Sequence, residues 1–255
     1  MMHDWLIVSF LLAFLSLDVS AVGQFMIARP IVAGPLVGLF TGHVELGLEV
    51  GALIELIWIG DVPVGAHLPL DLLMLTGVSV AFASELVNGR VPSEAAVTYA
   101  MAVAIPLAAL STEAENILRK FHVRWIHFAQ RMVLHSHFRT FEWINSFVLA
   151  ELFLKGFVVA AIGLTLAHLT TGLFSMFSGK VIEGLYYAHW LLLALGCSAV
   201  IDLLVEKKTA IYLILSIVTV SLGVFFQFQS VYLVCFMVFG GFVFTLLYMG
   251  KGEVS

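Results

Sequence analysis

Apolar runs as long as a membrane-spanning helix constrain this chain more than any other feature of its sequence. A helix needs about 20 apolar residues to cross the hydrocarbon core of a bilayer, and runs such as 93–110, 144–167 and 184–205 approach or exceed that length. The runs are continuous and do not alternate as barrel strands do. Only 11% of the residues are charged, against about 25% in soluble domains. We therefore predict an all-α, polytopic integral membrane protein.

The N-terminal half is more broken than the C-terminal half. The predicted helical segments are 5–23, 31–40, 44–59, 72–87, 93–110, 144–167, 184–205, 211–226 and 231–249. Segments 31–40 and 44–59 are too short to cross a bilayer alone, which is typical of the half-helices or re-entrant hairpins of transporters. Gly38 and Gly42 are four residues apart, as are Gly47 and Gly51, and this spacing lets helix backbones approach closely. We expect several full spans plus short broken helices within one membrane domain, residues 1–255.

Residues 113–142 differ sharply in composition from the segments on either side. They hold five of the twelve basic residues: Arg119, Lys120, Arg124, Arg131 and Arg139. Apolar positions recur there at helical spacing beside the basic stripe, which predicts an amphipathic helix lying on a membrane surface. Basic residues favour the cytoplasmic side, and alternating the later spans places Lys207 and Lys251 on that side too. We predict a cytoplasmic location for this segment and for the C-terminus.

Helix-breaking and ionisable residues are concentrated between residues 24 and 71, inside an apolar context. Prolines and glycines interrupt the helical pattern there, and residues 55–71 include ionisable side chains at Glu55, Asp61, His67 and Asp71. Backbone that leaves the helix at membrane depth is tolerated only where protein or a wet cavity supplies hydrogen-bond partners. Ionisable groups at that depth by default mark the path of a polar substrate or ion. Residues 24–90 are therefore the predicted substrate-binding region of a transporter.

Five residues of this region are candidates for substrate binding. Glu55 and Asp71 flank the non-helical stretch, and carboxylates form short, directional hydrogen bonds to hydroxyls. Asp71 can instead cap the helix that follows it, and Glu55 can be a structural carboxylate. Asp61 can terminate the preceding helix rather than bind, and His67 can be a satisfied loop histidine. Gln24 has suitable chemistry for a hydroxyl but can equally pair broken backbone.

Three other side chains have predicted structural roles. Arg29, directly before Pro30, is expected to anchor an interface or to pair with a carboxylate. Glu151 and Lys155 stand four residues apart, in the order that favours a salt bridge within one helix.

The sequence contains no pattern for catalysis by this chain alone. We find no nucleotide-binding glycine loop, nucleophile elbow or zinc-ligand spacing. We therefore predict no catalytic residue, metal site or cofactor, and we expect no nucleic-acid partner.

An ordered series of residues runs from position 24 to position 71: Gln24, Phe25, Arg29, Pro30, Gly34, Pro35, Leu36, Val37, Gly38, Gly42, Gly47, Gly51, Glu55, Leu56, Gly60, Pro63, Val64, Gly65, Ala66, Pro69 and Asp71. This series resembles the membrane subunit IIC of the mannose/fructose/sorbose family of the bacterial sugar phosphotransferase system (PTS). The series covers about 48 residues. Two positions depart from the usual family pattern: Met26 replaces a second glutamine, and His67 replaces a small or apolar residue.

The resemblance implies a role in sugar uptake across the bacterial cytoplasmic (inner) membrane. It implies a hetero-oligomer with membrane subunit IID, and a hexose or amino sugar bound within the membrane. It further implies a cytoplasmic phosphorylated IIB, supplied by IIA, that transfers its phosphoryl group to the sugar as transport proceeds. Membrane lipid is an expected partner of the apolar surface. The two departures leave open a transport-deficient regulatory or structural subunit, and the residues alone also fit an ion-coupled secondary transporter.

Overall fold

Helices make up all the regular secondary structure in the part of the chain that the computed structural model describes, residues 2–61, 68–134 and 138–204. In chain order they are α1 (Met2–Ser20), α2 (Pro30–Thr41), α3 (Val44–Ile57), α4 (Leu72–Asn88), α5 (Ser93–Leu134), α6 (Phe138–Leu169), α7 (Thr171–Ser175) and α8 (Gly179–Leu204). The predicted all-α fold is confirmed for these residues, and most predicted helices begin and end within a few residues of the observed ones. The predicted spans 211–226 and 231–249 lie outside the described residues.

Helix lengths separate full spans from short elements, as predicted. Among the described residues, three segments are long and apolar enough to cross a membrane: Ser93–Trp125, Ser146–Ser175 and Gly179–Leu203. By contrast, α2 has 12 residues and α3 has 14. At about 1.5 Å per residue they are roughly 18 and 21 Å long, less than the roughly 30 Å of a hydrocarbon core. Neither can span alone.

Helices α2 and α3 form an antiparallel hairpin, the α2–α3 hairpin, whose interface is built from glycine. Gly34 lies against Gly47, and Gly51 lies against the carbonyl of Pro30, so that an added Cβ at any of these glycines would meet backbone. Gly38 packs on His43 and Val44 in the same way. Of the four glycines predicted to allow close approach of helix backbones, Gly38, Gly47 and Gly51 do so, whereas an added Cβ at Gly42 meets nothing within 4 Å. Gly42 instead ends α2 in the left-handed conformation, with φ of 82°, which is the usual place for glycine after a helix.

Helix α4 is the centre of the described bundle, and 13 of its 17 residues are buried. It contacts α1, α2, α3, α5 and α6. Asp71 before α4 bonds Ser111 of α5, whereas Phe82 farther along α4 packs on the earlier Tyr99 of α5, so α4 and α5 run antiparallel. Contacts of Thr41 with Ser84 (3.0 Å) and of His43 with Asn88 (3.1 Å) attach the closed end of the α2–α3 hairpin to the C-terminal end of α4.

The predicted division between a span at 93–110 and an amphipathic segment at 113–142 is wrong. A single helix continues from Ser93 to Leu134. The polar residues at 111–116 that suggested a boundary have partners on neighbouring elements, because Ser111 bonds Asp71 and Glu115 bonds Lys155 of α6. Polar composition therefore marks an interface between helices at this point rather than the end of a buried helix. The cytoplasmic location of this segment stays a prediction.

The chain divides into two compact units, Met1–Ala199 and Val200–Ser255. All contacts described here belong to the first unit. Of the second unit, the described residues are the last turn of α8. The single-domain prediction for residues 1–255 stays a prediction.

Candidate functional site

The loop of residues 21–29, called the Asp18 loop below, carries Gln24 between α1 and α2. Its backbone adopts the left-handed region at Gly23 (φ 76°), Gln24 (φ 49°) and Met26 (φ 63°). Residues other than glycine rarely adopt this region, and such strain persists only where the surroundings enforce it, frequently at functional sites. The side chain of Gln24 is exposed, so it is available to a ligand or a partner.

Asp18, at the end of α1, enforces the conformation of that loop. Its Oδ1 accepts the backbone N–H of Phe25 at 2.7 Å, and its Oδ2 accepts those of Ile27 and Ala28 at 2.8 and 3.3 Å. Asp18 was not among the site residues predicted from the sequence. Its signal was present, because a carboxylate within an apolar run requires partners.

Glu55 closes the open end of the α2–α3 hairpin. Its Oε1 lies 2.6 Å from Nη2 of Arg29, the residue preceding α2. Its Oε2 accepts a long, weak hydrogen bond of 3.5 Å from the backbone N–H of Ile31. Arg29 is thus the carboxylate partner that the sequence predicted. The Glu55 side chain retains 17% exposure, so it is not fully enclosed.

Asp71 caps α4 and also bonds two other helices. Its Oδ1 accepts the backbone N–H of Met74 at 3.1 Å, which confirms the capping role weighed from the sequence. Its Oδ2 accepts the hydroxyl of Ser111 at 2.5 Å and lies 3.5 Å from Nζ of Lys155. Its own backbone N–H donates to the hydroxyl of Thr112 at 3.0 Å. A carboxylate oxygen has two acceptor positions, and among the described residues Oδ1 accepts from Met74 alone.

Asp71 belongs to a four-charge cluster with Glu115, Arg119 and Lys155. Lys155 lies 3.1 Å from Glu115, and Arg119 lies 3.3 Å from the other oxygen of Glu115. The Lys155 side chain is only 11% exposed. Two carboxylates thus face two cations, and their attraction offsets part of the free-energy cost of removing each charge from water.

The predicted Glu151–Lys155 salt bridge is wrong. Lys155 turns away toward Asp71 and Glu115, while Glu151 pairs with Nε2 of His122 on α5 at 3.2 Å. The ion pairs between helices form in preference to the pair with Glu151 because they give Lys155 two carboxylate partners in a largely buried place. A sequence shows only the neighbours within one helix, so this lysine, too, was missed as part of the site.

The structure describes four of the five predicted site residues and places them at different points of one region. Glu55 and Asp71 stand at the two ends of the connection between α3 and α4, and among the described residues they share no partner. Asp61 is half-buried in the turn after α3, where its backbone N–H donates to the carbonyl of Trp58 at 3.0 Å. Gln24 is exposed on the Asp18 loop. His67 lies outside the described residues.

The chemistry of this region suits recognition rather than reaction. The carboxylates of Glu55 and Asp71 border the connection between α3 and α4, and the amide of Gln24 lies on the Asp18 loop. These groups accept hydrogen bonds from hydroxyls and donate to them. Among the described residues no group of three or more His, Cys, Asp or Glu side chains could hold a metal ion.

Comparisons with known proteins bear on the whole chain. The family model described as "PTS system sorbose-specific iic component" matches residues 3–247. The chain is similar to the PTS system mannose-specific EIIC component of Escherichia coli (strain K12), with 25% identity over 190 residues, which are 72% of this chain and 68% of the relative. It is also similar to the PTS system sorbose-specific EIIC component of Klebsiella pneumoniae, with 23% identity over 193 residues, 74% of this chain and 69% of the relative.

Two solved structures share the fold at 23% sequence identity. One, described only as a membrane protein, superposes with a TM-score of 0.70 over 96% of this chain and 95% of that one. The other is a cryoEM structure of the mannose transporter ManYZ in complex with microcin E492 (MceA), with a TM-score of 0.53 over 96% of this chain and 94% of that one. The fold is therefore one that membrane proteins use.

Proposed function

Because the chain belongs to the sorbose-specific IIC family of the PTS and is a multi-pass membrane protein, we propose that it is the sugar-translocating subunit of a PTS permease. In this proposal it lies in the bacterial inner membrane, binds a hexose or amino sugar, and carries it inward for phosphorylation by phosphorylated IIB. Its similarity to mannose- and sorbose-specific components supports a sugar of that class. The chain itself supplies binding and passage, and IIB supplies the phosphoryl group.

The observation that carries the proposal is the pair of carboxylates bordering the connection between α3 and α4. Glu55 stands at the open end of a hairpin too short to span the membrane, and Asp71 caps the central helix. A sugar offers hydroxyls that donate to carboxylates and accept from backbone N–H groups. Glu55 is not fully enclosed, and Oδ1 of Asp71 accepts a single hydrogen bond among the described residues, so both are proposed to bind a hydroxyl without giving up their structural partners. Gln24, Asp61 and His67 are the further contacts we propose.

The proposed assembly follows from family membership. Subunit IID is the proposed partner in the membrane. Phosphorylated IIB is proposed to act on the sugar from the cytoplasmic side, and IIA acts through IIB. The exposed basic residues Lys120 and Arg124 on α5 are proposed to face the cytoplasm, since basic residues favour that side, where they can meet IIB or anionic lipid. Residues 1–255 are proposed to act as one membrane domain.

Uptake with and without the phosphorelay tests the proposal. Cells lacking endogenous transport for radiolabelled mannose, sorbose and N-acetylgalactosamine would express this chain with IIA, IIB and IID. We expect at least one sugar to arrive as its phosphate ester, and this product to vanish when IIB cannot be phosphorylated. Free sugar whose uptake is abolished by a proton ionophore would instead support an ion-coupled transporter. No uptake in either state would support a transport-deficient subunit.

A first variant follows from the Glu55 contact. Glu55→Gln removes the charge, keeps the shape and leaves an acceptor for Ile31. A hydrogen bond to a charged group contributes about 1.5–3 kcal/mol, so we expect the KM for sugar uptake to rise roughly 10- to 100-fold. The lost ion pair with the half-exposed Arg29 should reduce stability by less than about 1 kcal/mol. Uptake kinetics and thermal unfolding of the purified complex measure the two effects.

Arg29→Gln is the matched control, because it breaks the same ion pair and leaves the Glu55 carboxylate in place. If Glu55 binds sugar, the control raises KM much less than Glu55→Gln does. Equal effects of the two variants would show that the ion pair alone matters and that the sugar contact is wrongly assigned.

A further inference from the structure

We propose that Asp18 is a positioning residue, which holds Gln24 in its left-handed conformation and thereby sets the affinity for sugar. The inference rests on the proposed function, since Gln24 is one of the sugar contacts proposed there. Asp18 itself points away from solvent, with 9% exposure. Both of its oxygens are occupied by the backbone of the Asp18 loop. It therefore acts on the sugar only through the loop.

Hydrogen bonds, rather than burial of side chains, fix this loop. Besides the three bonds to Asp18, the Gln24 N–H donates to the Val22 carbonyl at 2.9 Å and the Arg29 N–H to the Met26 carbonyl at 3.2 Å. Phe25 is 73% exposed and Met26 is 70% exposed, so neither side chain is buried in a way that would hold the backbone in a disfavoured region. The Phe25 N–H belongs to the same peptide group as the Gln24 carbonyl. Its bond to Asp18 therefore fixes the orientation of that peptide and, with it, the direction of the Gln24 side chain.

The anchor is rigid because α1 is tightly packed on two helices. Gly156 of α6 lies directly against Ala13 and Ser16, and Gly77 of α4 lies against the Leu12 side chain. At its other end the loop is tied by the ion pair of Arg29 with Glu55. Two carboxylates thus hold the segment from both sides, and Gln24 is presented from a restrained backbone. Preorganisation of this kind lowers the ordering cost of binding.

Asparagine at position 18 cannot reproduce the pattern. The backbone N–H groups of the Asp18 loop donate to both carboxylate oxygens. In either orientation, an asparagine amide would place its NH2 group, which cannot accept a hydrogen bond, against at least one of these N–H groups. Asp18→Asn should release part of the loop and let Gln24 and Met26 leave the left-handed region. Glycine accepts that region without strain. Met26→Gly should therefore lower the free-energy cost of the left-handed conformation and partly offset the lost hydrogen bonds.

The experiment uses the full complex in nanodiscs and has two readouts. Hydrogen–deuterium exchange of residues 25–28 reports the loop directly and needs no sugar. Uptake kinetics with mannose, sorbose and N-acetylgalactosamine report KM and kcat. We expect Asp18→Asn to speed exchange at residues 25–28 and to raise KM about tenfold, as for the loss of one good hydrogen bond, with kcat changed less than about twofold. Glu183→Gln, an exposed carboxylate on α8, is the control and should change neither readout.

Two further backgrounds separate positioning from a general structural role. Adding Met26→Gly to Asp18→Asn should recover part of the KM, whereas adding Gln24→Ala should erase the effect of Asp18→Asn, because the side chain being positioned is gone. Unchanged exchange in Asp18→Asn, an unchanged KM, or an equal KM effect in the Gln24→Ala background would each overturn the inference.

Failure of the inference is distinguishable from failure of the proposed function. If the parent complex transports none of the sugars, the proposed function fails, and the exchange readout alone decides whether Asp18 holds the loop. If Asp18→Asn does not assemble, Met26→Val and Met26→Gly replace it. The β-branched valine resists the left-handed region and should raise KM, while glycine should not. Equal KM values for these two variants would contradict the inference.

Discussion

Replacing Asp71 with asparagine is expected to remove most sugar transport and also to weaken the fold. Asp71 caps α4, accepts from Ser111 and faces the largely buried Lys155. The variant leaves Lys155 with Glu115 as its remaining carboxylate, a loss of about 1–3 kcal/mol in the free energy of unfolding. Loss of a charged contact to a sugar hydroxyl should raise the KM for uptake roughly 10- to 100-fold. Thermal unfolding and uptake kinetics of the same preparation measure both effects.

Lys155→Met separates the two roles of Asp71. The double variant Asp71→Asn/Lys155→Met removes one charge of each sign from the four-charge cluster, so no uncompensated charge is left buried. Breaking a buried ion pair by removing one partner is costly because the other charge is left uncompensated, whereas removing both charges avoids that cost. The melting temperature should therefore return toward that of the parent. Transport should stay low, because the carboxylate is still absent. Recovery of transport together with stability would show that Asp71 is structural and that its sugar contact is wrongly proposed.

Gly47→Ala is expected to destabilise the α2–α3 hairpin and with it the assembled complex. The new Cβ would meet the carbonyl of Gly34 across the interface, and backbone cannot move aside as a flexible side chain can. Overpacking commonly costs about 1–3 kcal/mol, sometimes more. For a chain of this size that is a fall of roughly 2–12 °C in melting temperature. Thermal unfolding of the purified complex gives the value.

Gly184→Ala is the matched control for that substitution. Gly184 lies within α8, and an added Cβ there meets nothing within 4 Å. Alanine is favoured over glycine in a helix by about 1 kcal/mol, so the control should be neutral or stabilising. A Gly47→Ala variant as stable as the control would contradict the backbone contact between the two short helices.

Much of the fold could be predicted from the sequence because a membrane helix has a local signature, a long continuous run of apolar residues. Length and continuity of the apolar runs gave α4, α6 and α8 close to their observed ends, and helix breakers isolated α2 and α3. The predicted division of α5 was wrong because the polar residues at 111–116 were interpreted as exposed to solvent. Ser111 and Glu115 are polar, yet they bond Asp71 and Lys155, and no local pattern reveals a partner on another helix.

The candidate site was predictable only in part for the same reason. The capping role of Asp71 is local, since its acceptor serves Met74, and it could be weighed from the sequence. Its other partners, Ser111 and Lys155, are 40 and 84 residues away along the chain. Asp18 also escaped prediction, because its three bonds depend on a loop whose left-handed backbone no residue type there requires.

The four-charge cluster has an electrical consequence for transport. Moving one unpaired elementary charge through a membrane potential of 100 mV involves about 2.3 kcal/mol. Asp71, Glu115, Arg119 and Lys155 in their usual charge states sum to zero, so a displacement that carries all four together does no net work against the field. The voltage across the membrane then neither drives nor opposes that movement through this cluster.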